Sequence, residues 1–405
     1  MDDLLNFWTQ WLRPSAGLPT VQWSLLLAVA AVAGSLCQRF TGLPKVVGYS
    51  LVGAVAGFAG FSGAVWPLQG IGLFLLELGV AVVLFETGGR VPLRWFRHNP
   101  MVLVQSLAES ALAYFAVHAV LAWLGLPARV AGPLALMAMA ASPAVLTRVV
   151  ADTRAAGPVT ERALVLATLS TLYALTLGTA GAAGVGSEGG WLAGLGAVAR
   201  VLGMSIVVAA ALALLLRVAL RYMSPTSENT AILLLALIAA ATAVAAGLGG
   251  SAPLAALLGG MLLKQIHPGP WSWPRQLGTA STLLTMLMFV LVSTVAAQGH
   301  WSAPVAGLAL ALIVARLVAK AAGIALANAG SGASWRQALW LGGAMTPMSA
   351  VALLVASQFV VDEPTVVGEQ IASVALPAIL LMEVLGAVLA TLALHRAGET
   401  RKSAP

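Results

Sequence analysis

With 405 residues, 60% of them hydrophobic and only 9% charged, and a mean hydropathy of +0.94, the chain cannot clothe a water-facing globule, whose surface needs far more charge. The formal net charge of +7 would suit nucleic acid if the bases shared one face, but they are scattered through short loops, so neither a nucleic-acid partner nor an enzyme is expected. Cys37 is the single cysteine, which excludes an intramolecular disulfide and a thiolate metal site, and no cofactor is implied.

The start, Met1-Asp2-Asp3, is acidic where a signal peptide would be basic, so the first apolar run is expected to stay in the protein. Apolar runs broken by Gly, Pro and charge predict thirteen helical spans, at 21–38, 44–60, 70–88, 101–125, 130–150, 160–183, 192–220, 229–248, 253–266, 277–297, 303–327, 335–358 and 367–394. The second and ninth are the shortest and are rich in glycine. Together they imply one transmembrane domain over 1–395 and a short tail, 396–405.

Span three carries Glu77 and Glu86, span four Glu109 and His118, span eleven Arg316 and Lys320, and span thirteen Glu383. An ionisable group inside a bilayer costs roughly 2.5–3.5 kcal/mol on insertion scales, so each needs a reason. Glu86, beside Gly88-Gly89-Arg90, reads as a local ion pair at the end of its span. Glu109 and His118 are not expected to act together. Arg316 and Lys320, four residues apart, share one helix face and call for carboxylates, carbonyls or water opposite. Either they brace the bundle through a neutralising partner such as Glu383 or Glu86, with Lys320 able to snorkel, or they take part in an ion path.

In span five, Ala140-Ala141-Ser142-Pro143-Ala144 echoes Ala344-Met345-Thr346-Pro347-Met348 in span twelve. The two are seven spans apart, an odd offset. Spans one to six and eight to thirteen can therefore form two units of opposite orientation, with a hydroxyl and a proline interrupting equivalent helices, as in inverted-repeat transporters. The alternative is a pair of ordinary proline kinks.

Orientation follows from Lys and Arg on alternate loops. Sixteen of the 21 fall on one side and only Arg13, Arg129 and Arg200 on the other, which predicts an outside N-terminus and a cytoplasmic C-terminus in a bacterial inner membrane.

Several segments together resemble the monovalent cation:proton antiporter-2 family over nearly the whole chain. Pro44-Lys45-Val46-Val47-Gly48-Tyr49 through Gly53 resembles its early helix. Glu77-Leu78-Gly79-Val80 with Leu84-Phe85-Glu86 resembles its third, Ser142-Pro143-Ala144-Val145 its fifth, Gly249 through Gly260 a glycine-rich turn, and Glu383-Val384-Leu385-Gly386 a C-terminal helix. The resemblance implies an all-helical membrane fold whose two broken helices, spans five and twelve, cross. It also implies a homodimer, and an aspartate halfway along the sixth helix that holds cation and proton by turns. Here that stretch reads Leu169-Ser170-Thr171-Leu172, and neither hydroxyl titrates near neutrality. Either another carboxylate has taken the role or proton coupling is absent. With so short a tail, the nucleotide-binding domain of the potassium-efflux relatives is not expected.

The reading that follows is a monovalent cation (Na⁺ or K⁺):proton antiporter. Its ion site involves Ser142, Pro143, Ser170, Thr171, Thr346 and Pro347, and Glu86, Arg316, Lys320 and Glu383 serve as coupling or bracing charges. A passive cation pathway and a non-transporting sensor are the alternatives.

Overall fold

Glycine, proline and capping hydroxyls set the ends of the helices, and the apolar runs between them supply the lengths. In the computed structural model, residues 18–61, 64, 66–68, 70–91, 93–184, 191–224, 227–267, 275–362 and 366–400 are described, and no strand occurs among them. Met1 to Asp3, Arg13, Glu363 and residues 401–405 of the tail lie outside this set.

The helices are α1 (Leu18–Thr41), α2 (Lys45–Phe58), α3 (Gly70–Gly88), α4 (Leu93–His98), α5 (Met101–Trp123), α6 (Ala128–Met139), α7 (Pro143–Thr153) and α8 (Pro158–Gly184), followed by α9 (Trp191–Tyr222), α10 (Glu228–Gly247), α11 (Ala252–Ile266), α12 (Arg275–Ala297), α13 (Ala303–Leu326), α14 (Trp335–Ala344), α15 (Ala350–Asp362) and α16 (Val366–Arg396). Every predicted span overlaps a helix, and spans five and twelve are each made of two. The short α4 was not predicted. Among the described residues nine segments are long and apolar enough to cross a bilayer, with α6 and α7 taken together, and α2, α11 and α15 are shorter apolar helices.

The breaks have a local cause. Pro143 has no N–H to give and fixes its own φ, so it is tolerated at the start of α7 but could not continue α6. Ser142, extended, caps α7 by accepting from Val145 N at 3.3 Å. Ala140 leaves α6 in an extended conformation. In the second break the chain unwinds from Met345 to Ser349 around Pro347.

Two main apolar cores result, with a small third of Val208, Ala245 and Ala255 between α9, α10 and α11. The larger joins α5–α8 with α12–α16, and the smaller, with Phe85, Leu212, Leu234, Ile238 and Leu263, binds α3, α9, α10 and α11. Small residues let helices approach, as expected where lipid competes with side chains for apolar contact. At Gly323 of α13 a Cβ would come 2.5 Å from the Glu109 Cα, and at Gly386 of α16 it would come 2.6 Å from the Pro347 Cα. These two glycines bring α13 against α5 and α16 against the second break. The outer faces stay apolar and open: on α1, Leu25 is 62% and Val32 59% exposed, a surface suited to acyl chains and not to water.

Candidate functional site at the two helix breaks

The breaks meet. Ser142 N–H donates to the Pro347 carbonyl at 2.9 Å, joining residues far apart in sequence at the middle of the larger core. α6 packs on α15, so halves of the two broken helices lie side by side.

A helix that stops leaves its last carbonyls without intrahelical donors, and its dipole makes that end negative. At the end of α6 these carbonyls are Ala138, Met139 and Ala140, and all three are taken by cations of α13. Arg316 Nε donates to Ala138 O at 2.8 Å and Nη2 to Ala140 O at 2.8 Å, while Lys320 Nζ donates to Met139 O at 2.9 Å. The same guanidinium reaches the other break, with Nη1 on Thr346 O at 2.6 Å and Nη2 on Pro347 O at 3.2 Å. A planar fork of five donors can serve four carbonyls at once, and an ammonium could not. Arg316 is 0% and Lys320 1% exposed, so Lys320 does not snorkel.

The expected neutralising partners are corrected here. Lys320 pairs with Glu109 of α5, Nζ to Oε2 at 2.5 Å, and Ser110 Oγ donates to the other carboxylate oxygen at 3.0 Å. Glu109 also acts electrostatically on Arg316. Glu86 instead pairs with Arg90 at 2.6 Å on a partly exposed surface, the local ion pair that its position at the end of the span implied. Glu383 meets neither base: its carboxylate oxygens accept from Ser293 Oγ at 2.8 Å and Ser349 Oγ at 3.0 Å. His118 stacks on Tyr114, apart from Glu109.

Ser170 and Thr171 lie at the first break and hold its backbone. Ala141 N–H donates to Ser170 Oγ at 3.1 Å, and Thr171 Oγ1 donates to Ala141 O at 2.7 Å. Both hydroxyls are fully buried. Thr346 Oγ1 lies 2.9 Å from Gly343 O and 3.3 Å from Gly386 O, tying the second break to α16. All six residues predicted for the site therefore gather here, together with Arg316, Lys320 and, through Ser349, Glu383. Sequence reasoning missed Glu109 as the partner of Lys320, although the seven-span offset that matched span five to twelve also matches four to eleven. It missed Ser293 and Ser349 as well, for which no local signal existed.

A cavity of about 570 Å³ opens between α3 and α8, lined by Thr87, Arg90, Glu161, Leu164 and Thr168, of which Arg90 and Glu161 are exposed and Thr87 and Thr168 buried. Thr168 is one turn from Thr171, about 4.5 Å along the axis. At the start of α8 the segment after α16 folds back. Glu399 caps α8, accepting from Val159 N at 2.8 Å and from Thr160 N and Oγ1, each at 2.7 Å. No group of three or more metal-ligating side chains gathers among the described residues.

The profile of the sodium/hydrogen exchanger transmembrane family matches residues 26–395. The chain belongs to the sodium/hydrogen exchanger family. It is a multi-pass membrane protein of that family, as its resemblance to cation:proton antiporters implied. The fold is similar to that of the sodium proton antiporter MjNhaP1 from Methanocaldococcus jannaschii. Against a structure of that protein at pH 8 the TM-score is 0.70 at 15% identity, over 95% of this chain and 99% of that one. Against a second, from electron microscopy, it is 0.70 at 17% identity, over 96% and 100%. No curated protein matched.

Proposed function

We propose that this exchanger-family protein moves a monovalent cation, Na⁺ or K⁺, against protons, with the meeting point of the two breaks as the transport site. The observation that carries the reading is the crossing itself: two unwound segments joined by Ser142 N–H and Pro347 O, their free carbonyls held by Arg316, with a cavity whose lining includes Thr168, three residues before Thr171. In this reading Pro143 and Pro347 create the breaks, and Ser142, Ser170, Thr171 and Thr346 fix their shape. The cavity is then the approach from the cytoplasm, because its lining includes Arg90 on the side that the basic loops assign inward. Thirteen spans in two inverted repeats, an outside N-terminus, a bacterial inner membrane and a homodimer complete the proposal. MjNhaP1, named a sodium proton antiporter, makes Na⁺ the first cation to try.

The test is purified protein in vesicles loaded with a pH-sensitive dye and pulsed with Na⁺ or K⁺. Proton movement that requires the cation supports antiport. Cation leak without protons would replace it with a passive pathway, and silence with both ions would leave a scaffold that does not transport.

A further inference from the structure

Among the described residues two carboxyl groups are fully buried, Glu109 and Glu383. The first is committed to Lys320. Glu383 has no ion-pair partner among the described residues, and its oxygens accept from two hydroxyls, Ser293 from α12 and Ser349 from the second break. Of the charged groups on elements packed against α16, Lys45, Arg129, Arg275, Arg336 and Asp362 stand at the ends of their helices, and those nearer the middle of the bundle are engaged elsewhere. Arg316 is on the break carbonyls and Lys320 on Glu109, Arg148 of α7 is on Ser281, Thr282 and Thr285, and Asp152 accepts from Lys45 N.

We propose that Glu383, with Ser293 and Ser349, is the site where cation and proton exclude one another, standing in for the acid that the sixth span lacks. The proposal rests on the antiport reading above and names the residue that couples it. Hydroxyls suit the role because each can donate to an empty carboxylate or turn a lone pair toward a cation, and oxygen ligands are what a hard alkali ion takes. The step balances one for one. The carboxyl O–H bond breaks, the proton leaves to water, and the carboxylate then accepts Na⁺ or K⁺; on the return the cation leaves and a proton re-forms the O–H bond.

Placement supports it. α8 meets the first break through Ser170 and Thr171 on Ala141, and α16 meets the second through Glu383 on Ser349 and Gly386 on Thr346 and Pro347. If spans six and thirteen are counterparts, the titratable oxygen stands in the matching helix of the other half. Glu383 on α16, Ser293 on α12 and Ser349 in the second break come from three separate elements, so a shift of the break against α12 would take the ligands apart. A carrier needs a site whose affinity changes between its two states.

The experiment treats reconstituted wild type with dicyclohexylcarbodiimide, which modifies protonated carboxyls in apolar surroundings, and maps the adducts by mass spectrometry in choline, Na⁺ or K⁺. Labelling at Glu383 is expected, and it should fall about tenfold at a cation concentration ten times the dissociation constant, by mass action. In the flux assay Glu383→Gln, which keeps shape and hydroxyl contacts, should lose cation-dependent proton movement, while Glu77→Gln on α3 should keep it. Labelling of Glu383 that neither cation changes, or full exchange by Glu383→Gln, would overturn this assignment and leave antiport standing. A wild type without flux would sink the antiport reading instead, and cation protection of Glu383 would still support the site. If Glu383→Gln does not fold, the labelling of wild type decides alone.

Discussion

The Glu109–Lys320 pair allows a quantitative test of the crossing. Both side chains are out of solvent, they are 2.5 Å apart, and Lys320 also holds the Met139 carbonyl at the end of α6. Removing one member strands the other as an unpaired buried charge, which costs about 3–5 kcal/mol. Lys320→Met also frees the Met139 carbonyl, adding about 1 kcal/mol. Removing both charges leaves only that carbonyl and a packing mismatch, so Glu109→Gln/Lys320→Met should cost far less than the two single changes together. The expected coupling is at least about 2 kcal/mol, toward the upper part of the range for residues in contact. The assay is unfolding of the detergent-solubilised protein and its three variants, followed by tryptophan fluorescence. Additive costs, with the double variant as damaged as the sum, would refute the buried pair and with it the account of how α13 holds the first break.

Three further outcomes follow from the same geometry. Thr171→Val removes the donor to Ala141 O and should cost about 1–3 kcal/mol through a buried carbonyl left unsatisfied, while Thr171→Ser should recover most of it; the same unfolding assay reads both. Gly386→Ala puts a methyl against the Pro347 Cα and should cost about 1–3 kcal/mol by overpacking, with loss of flux in vesicles as the companion readout. Glu399→Ala removes the cap of α8, worth about 0.5–2 kcal/mol, and should appear as faster hydrogen exchange at the Val159 and Thr160 amides before any change in global stability.

The sequence was most legible where a single residue type dictates backbone behaviour. Pro143 and Pro347 stand at the breaks, each preceded by a hydroxyl residue, and that pattern could be read from a few residues, although Pro133 and Pro377 lie inside α6 and α16, so proline alone does not mark a break. Apolar runs likewise gave the positions of the long helices. Pairing was much less legible. Lys320 finds Glu109 across 211 residues, and nothing local distinguished that acid from Glu86 or Glu383. Charge alone says only that a buried base needs a partner. Which partner it finds depends on how α5 lies along α13, set by Gly323, and a glycine in an apolar run carries no visible address. Ser170 and Thr171 were placed correctly at the break, yet their engagement with both polar groups of Ala141 could not be read from the chain. The fold-back of Glu399 onto α8 gave no local sign at all.

Arg316 has a consequence for the membrane as a whole. Its guanidinium is permanently charged, and at the breaks it is met by carbonyl dipoles, while Glu109 answers Lys320 and Glu383 is held by Ser293 and Ser349. An alkali ion arriving without an anion, about 7 Å away at an effective dielectric of 20, would meet roughly 2.4 kcal/mol of repulsion, enough to cut its occupancy more than tenfold. The side chain that joins the two breaks therefore also insulates them. If the proposed exchange is what this protein performs, a cell that stores energy as a voltage across its bilayer could keep many copies without discharging itself through them.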